Sequence, residues 1–183
     1  MNAKRGILNI ITLIIIAING YGQNCKIEFY LLKRVIVSDS INSAFMVSDF
    51  HVTIDDVEDT PFISDNEITS FFIRKDTTNF KIRERHHFVV PNTVINRIKE
   101  LNIPLCCGKQ FALLVNGEIV YGGYFWNLAS SFGCNGIGAF AYNNQITIYK
   151  QLPDLDRFEN NVSDMRQNPN LFDCLKTTNR MND

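Results

Sequence analysis

No apolar run in this chain is long enough to cross a bilayer. The longest, residues 7–18, has 12 positions and is interrupted by Asn9 and Thr12. A spanning helix needs about 20 mostly apolar residues. Charge of one dominant sign is missing as well, with 18 Lys and Arg against 19 Asp and Glu. That balance supplies no field to gather nucleic acid or an anionic membrane surface. HExxH, a paired CxxC, GxSxG and the EF-hand spacing are all absent. The zinc-protease helix, the hydrolase nucleophile elbow and the regular calcium loop are therefore unsupported. There is no internal repeat and no low-complexity linker.

What is present begins at the N-terminus. Lys4 and Arg5 precede the apolar run, and Asn19, Gly20, Tyr21 and Gly22 follow it. A basic start, a short apolar middle and small residues at the end form the three-part plan of a secretory signal peptide. Gly20 and Gly22 stand at the −3 and −1 positions of a cut before Gln23. An uncleaved anchor is the rival reading. Lipid attachment at Cys25 is another, although Gly22-Gln23-Asn24 poorly matches a lipoprotein signal. Removal of residues 1–22 leaves 161 residues with 16 basic and 19 acidic side chains. That length suits one domain, residues 23–183, with its own core. The expected location is periplasmic or secreted.

Export recasts the cysteines. Cys25, Cys106, Cys107, Cys134 and Cys174 all lie beyond the cut. In an oxidising compartment they are disulfide candidates before they are nucleophiles. Five cysteines allow 15 arrangements of two bridges and one free thiol. Cys106 and Cys107 are adjacent and strained if joined to each other, so each is expected to reach a distant partner, or one of them to stay buried as a small apolar residue.

The periodicity predicts strands over 25–37 and 44–54, able to form a hairpin around the polar residues 38–43. Ser64-Asp65-Asn66-Glu67 reads as a capping box opening a short helix to about Arg74. A strand with an exposed basic middle is expected over 80–90. Pro91 then starts a helix whose stripe is Val94, Ile95, Ile98 and Leu101. Asn116-Gly117 between two apolar β runs, 110–115 and 118–126, is the strongest hairpin signal. Gly122-Gly123 suggests a bulge or a close backbone approach. A second hairpin turns at Asn143-Asn144, residues 152–168 are irregular, and a helix over 170–176 closes the chain. The fold class is α+β: one antiparallel or mixed sheet with two or three helices on one face.

No motif carries chemistry strongly. His86 and His87 are neighbours on a strand, point to opposite faces and cannot easily share a metal. His51 stands alone, and Asp55, Asp56, Glu58 and Asp59 read as a solvated acidic loop. Ser130-Ser131 reads as loop capping, and a catalytic thiol finds no matching signature. No catalytic residue, metal site or cofactor is assigned. The densest aromatic cluster is Tyr121, Tyr124, Phe125 and Trp126. Part of it is expected in the core, and the part beside the Ser/Gly/Asn-rich loop 127–138 is the candidate binding surface.

Gly108 to Tyr121, then Gly123, Phe125-Trp126 and Ser130-Ser131, resembles a group of small exported bacterial proteins of unknown function. Pro61-Phe62-Ile63-Ser64 with Glu67-Ile68 fits their upstream segment. Asp164-Met165-Arg166, Asn168-Pro169 and Leu175 fit their closing one. Their Tyr-x-x-x-His segment corresponds to residues 71–75, which hold no histidine. The plan also resembles the periplasmic head of the protein-export subunit SecD, which implies a ferredoxin-like unit. SecD's membrane helices are absent, so its translocase role is not implied, and neither resemblance transfers an activity.

The sequence thus supports an exported, non-enzymatic binding or accessory module of the cell envelope. Its partner would be a protein or an envelope ligand, with no nucleic acid and no membrane span in the mature chain. The alternatives are an envelope enzyme joining His51, His86 or His87 to a carboxylate, and a lipid-anchored protein.

Overall fold

Two asparagine-centred turns organise the sheet. Asn116 and Gly117 have φ of 52° and 81°, and Asn143 and Asn144 have 48° and 59°. Two consecutive positive-φ residues match the right-handed twist of the strands they join. Each pair therefore closes a tight hairpin, as the sequence predicts. The computed structural model describes residues 25–37, 46–47, 50–78, 81–152 and 164–182. The expected signal segment, residues 1–22, lies outside them, as does most of the irregular stretch 152–168.

The strands are β1 (Ile27–Leu31), β2 (Met46–Val47), β3 (Ser70–Thr78), β4 (Lys81–Val89), β5 (Lys109–Val115), β6 (Glu118–Phe125), β7 (Gly133–Cys134), β8 (Gly138–Tyr142) and β9 (Gln145–Tyr149). The helices are α1 (Asn92–Lys99) and α2 (Pro169–Thr177). Seven strands form one mixed sheet in the order β1-β5-β6-β8-β9-β4-β3. Its neighbours are antiparallel except β6 and β8, which run parallel. β2 and β7 make a separate parallel pair.

Alternation along the strands divides the core. Ile27 and Phe29 of β1, Phe111 and Leu113 of β5, Phe125, Ile146, Ile148 and Phe88 point to one face. Val94, Ile95 and Ile98 of α1 and Leu171, Cys174 and Leu175 of α2 cover that face. Both helices thus lie on one side, giving the expected α+β class. Phe29 is fully buried at its centre, with ring centroids 5.2 Å from Phe88 and 5.5 Å from Phe111. Ala112 and Leu114 point to the opposite face, under Leu32, Val52 and Val57. Tyr124 and Trp126 share that side with Cys134 and Leu152.

Three sequence expectations are corrected. The strands over 25–37 and 44–54 do not form a hairpin; β1 pairs with β5 and β2 with β7. The capping box is real, for Ser64 N–H donates to Glu67 Oε2 at 3.0 Å, but it caps a single turn, Asp65–Glu67. The chain then enters β3, which pairs with β4 over nine positions. The middle of β4 is not exposed: Arg83 and Arg85 are half-buried, and His86 and His87 are buried.

Of the two readings at Gly122-Gly123, close approach is the observed one. The register shift falls between Leu113 and Leu114 instead. A Cβ on Gly123 would lie 2.8 Å from Phe111 Cζ and 3.0 Å from the Ile137 carbonyl oxygen. Gly123→Ala is therefore expected to cost about 1–3 kcal/mol by overpacking. Urea unfolding checks it; a variant as stable as the parent would show that the two strands can part freely.

Candidate functional site

The site is assembled where three elements end. α1 finishes at Lys99, and Asn102, with φ of 49°, redirects the chain into Ile103. Gly108, with φ of 64°, lays the next turn on Trp126; a Cβ there would be 2.6 Å from the indole Cε3. The loop after β6 is tied to this turn. Asn127 Nδ2 donates to the Ile103 carbonyl at 3.3 Å, and Ser130 Oγ donates to the Leu105 carbonyl. Between these segments and β8 lies a groove of about 570 Å³. Ile98, Ile103, Trp126, Leu128, Ala141 and Tyr142 supply its apolar lining, and Lys99, Asn102 and Asn127 its polar rim. Leu128, from the loop after β6, and Tyr142, at the end of β8, both line it and are 64% and 59% exposed.

Backbone groups also face this opening. In a two-residue hairpin the positions flanking the turn form a hydrogen-bonded pair. Tyr142, Phe140 and Gly138 therefore bond toward β9, while Ala139 and Ala141 face the other edge. The Ala139 carbonyl accepts from Trp126 N–H at 2.8 Å. Pairing of β6 with β8 covers only Tyr124–Gly138 and Phe125–Ala139. Among the described residues nothing pairs with the outward edge of Ala141.

The aromatic cluster expected to bind is mostly interior. Tyr121, Tyr124, Phe125 and Trp126 are 3%, 3%, 0% and 4% exposed. β6 has both edges paired, to β5 and β8, and its faces are covered by the helix-side core on one side and by Phe50, Val52 and Leu152 on the other. Phe125 packs 4.6 Å from Phe111, and Tyr124 meets Phe50 edge-on at 5.0 Å. Burial pushes the Tyr121 phenol far above its ordinary range. Trp126 alone of the four lines the groove. Leu128 and Tyr142 carry little signal in the sequence. That signal is a large apolar residue in a polar loop and a tyrosine directly before an Asn-Asn turn.

The histidines do not converge. His86 is fully buried, with centroids 5.4 Å from Phe71 and 5.9 Å from Phe172, and neither ring nitrogen has a partner among the described residues. Burial, aided by the Arg166 charge, lowers its pKa to about 4. His87 stacks on Phe72 on the other face, and His51 is exposed. Arg166 is buried and structural: it grips Asp164 at 2.6 Å and donates to the carbonyls of Glu84 and Ile148 at 2.7 and 3.2 Å. Among the described residues no three His, Cys, Asp or Glu side chains gather as metal ligands. The acidic run is a capped turn, in which Asp56 accepts from Thr53 Oγ1 at 2.6 Å and is held below the ordinary carboxylate range by those Thr53 bonds.

The cysteines divide into three environments. Cys25 and Cys174 are bonded to each other, with Cα atoms 5.5 Å apart. Cys134 is buried, which pushes its thiol up to about 12. Cys106 and Cys107 are exposed, reaching no distant partner and entering no core.

No protein-family model and no curated protein matches the sequence. Among solved structures the chain is similar to the crystal structure of SecDF in its super-membrane-facing form, at 13% identity and a TM-score of 0.42. The likeness covers 88% of this chain and 20% of that one, so the chain spans about a fifth of that protein's length. It is a distant likeness and assigns neither activity nor partner. Among the described residues no helix is long and apolar enough to cross a membrane. The Cys25–Cys174 bridge is compatible with an exported protein.

Proposed function

We propose that this chain is an exported, non-enzymatic binding module whose groove takes an extended peptide segment of a protein partner. The observation that carries this reading is the unpaired edge of Ala141 between the exposed side chains of Leu128 and Tyr142. An extended peptide adds main-chain hydrogen bonds to such an edge and seats alternate side chains in flanking apolar pockets. The groove's size lies within the usual range for ligand sites, about 300–1,000 Å³. Export rests on the basic, apolar and small-residue pattern of residues 1–22, the bridge, and the resemblance to small exported bacterial proteins. Lipid attachment at Cys25 would need the sulfur that is bonded to Cys174, so bridge and anchor exclude one another.

Trp126 is the only tryptophan, so its fluorescence reports on this groove. Titration with a panel of extended apolar peptides is expected to change that emission. Leu128→Ser and Tyr142→Ser should each weaken binding about 10- to 100-fold, as expected for losing one buried apolar side chain. Both positions are exposed, so the fold should persist. Peptide affinities indifferent to both substitutions would overturn the reading, and so would a panel in which no peptide binds.

A further inference from the structure

Cys106 and Cys107 sit in one exposed turn with their sulfurs 2.8 Å apart, inside van der Waals contact. The turn is fixed from both sides. Ser130 Oγ holds the Leu105 carbonyl before it, and Gly108 rests against the Trp126 ring after it. No other sulfur competes for the pair. Cys25 and Cys174 are bonded together, and Cys134 is buried with its thiol directed at the Gly136 carbonyl at 3.1 Å.

We infer that Cys106 and Cys107 form a dithiol–disulfide couple that exchanges with low-molecular-weight disulfides and closes as a bond between the two adjacent residues. The couple does not depend on peptide binding in the groove. Neighbouring Cα atoms are about 3.8 Å apart across a trans peptide, below the usual disulfide range of about 4.4–6.8 Å. The closed ring is consequently strained, and strained, exposed disulfides are the readily reduced ones. Cys25–Cys174 provides the contrast, being buried and spaced like an ordinary structural bridge.

The exchange balances in two steps. The Cys106 thiolate attacks one sulfur of the external disulfide, forming a mixed disulfide and releasing one thiolate. That thiolate takes a proton and departs as a thiol. The Cys107 sulfur then loses its proton and attacks Cys106 Sγ, expelling the second thiol. Two protein thiols are oxidised and one external disulfide is reduced to two thiols. The two sulfurs share one contact in which either can donate, so the attacking and resolving roles are exchangeable between Cys106 and Cys107.

The test uses the full chain with the Cys25–Cys174 bond intact, mildly reduced and then incubated with glutathione disulfide. Free thiols are alkylated, and the peptide holding Cys106 and Cys107 is weighed. The expected product has lost two hydrogens and carries neither alkyl group nor glutathione, and mild reductant restores the dithiol. Cys106→Ser should instead give a stable single glutathione adduct on Cys107, a product that a ring-closing partner prevents. Two glutathione adducts on the parent chain would overturn the inference. A dimer linked through these residues, or a dithiol left unchanged, would overturn it equally.

Discussion

Replacing Cys25 and Cys174 together by alanine lowers the unfolding free energy by about 5 kcal/mol and the melting temperature by about 10–20 °C. The magnitude follows from the 149-residue separation of the two positions. A cross-link over so long a loop removes much of the freedom of the unfolded chain, by roughly that amount in the chain-entropy account. The native state should survive the loss, because a second clasp joins the same ends. Arg180 pairs with Asp65 at 2.7 Å and donates to the Cys25 carbonyl at 3.3 Å, and Asp65 accepts from Ile27 N–H at 2.7 Å. The double variant is the cleaner test, since a single replacement leaves a thiol able to mispair with Cys106 or Cys107. Urea unfolding of the parent with and without reductant supplies the comparison. Reduced parent and double variant should share one midpoint, well below that of the oxidised parent. Coincidence of all three midpoints would refute a stabilising role for the bridge.

The parts of the fold legible in the sequence are those set by neighbouring residues. Asn116-Gly117 and Asn143-Asn144 announce their hairpins because positive φ at two successive positions is a local demand. The stripe of Val94, Ile95 and Ile98 likewise announces α1. β3 runs against its local signals for the same reason. Its capping box and the spacing of Ile68, Phe71 and Phe72 are local helix signals, whereas the strand is selected by distant pairing. Phe71 lies opposite Phe88, Lys75 meets Glu84 at 2.7 Å, and Asp76 meets Arg85 at 2.8 Å. None of these partners is adjacent in sequence, so tertiary context overrides the local preference.

The candidate site was less legible because no single element owns it. Its lining comes from the end of α1, the loop after β6 and the end of β8, and no periodicity links those positions. Aromatic density marks residues 121–126, whose side chains are buried, and of the four aromatics only Trp126 lines the groove. A run of Tyr, Phe and Trp marks a β6 buried on both faces, and the groove begins where that strand stops. Leu128 and Tyr142 stand out as large apolar side chains left without cover, a property of packing and not of composition. Cysteine pairing was equally hidden, since adjacency alone suggested strain and gave no sign that the turn brings Cys106 and Cys107 into contact.

Acidification from pH 7.5 to pH 5 is expected to cost the parent about 2 kcal/mol through His86 alone. The ring is fully buried between Phe71 and Phe172, and its folded pKa is about 4 against 6.5 for the free side chain. Above pH 6.5 the ring is neutral in both states and carries no proton-linked penalty. As pH falls below 6.5 the unfolded chain takes up a proton that the folded chain refuses, so stability declines. The decline continues to about pH 4, where both states are charged and the total loss levels near 3 kcal/mol. Burial is the larger cause, and the Arg166 guanidinium adds to it; Asp164 and Glu84 oppose it without cancelling it. His87 shifts in the same direction, so the parent's pH profile by itself does not isolate His86. His86→Phe does. Phenylalanine suits a site bordered by Phe71 and Phe172 and removes two buried nitrogens that have no described partner. At pH 7.5 the variant should match or exceed the parent in stability, and the gap between them should widen by about 2 kcal/mol at pH 5. Urea unfolding at the two pH values measures that difference directly. Parallel losses in parent and variant would mean that His86 is not the group that couples this fold to pH.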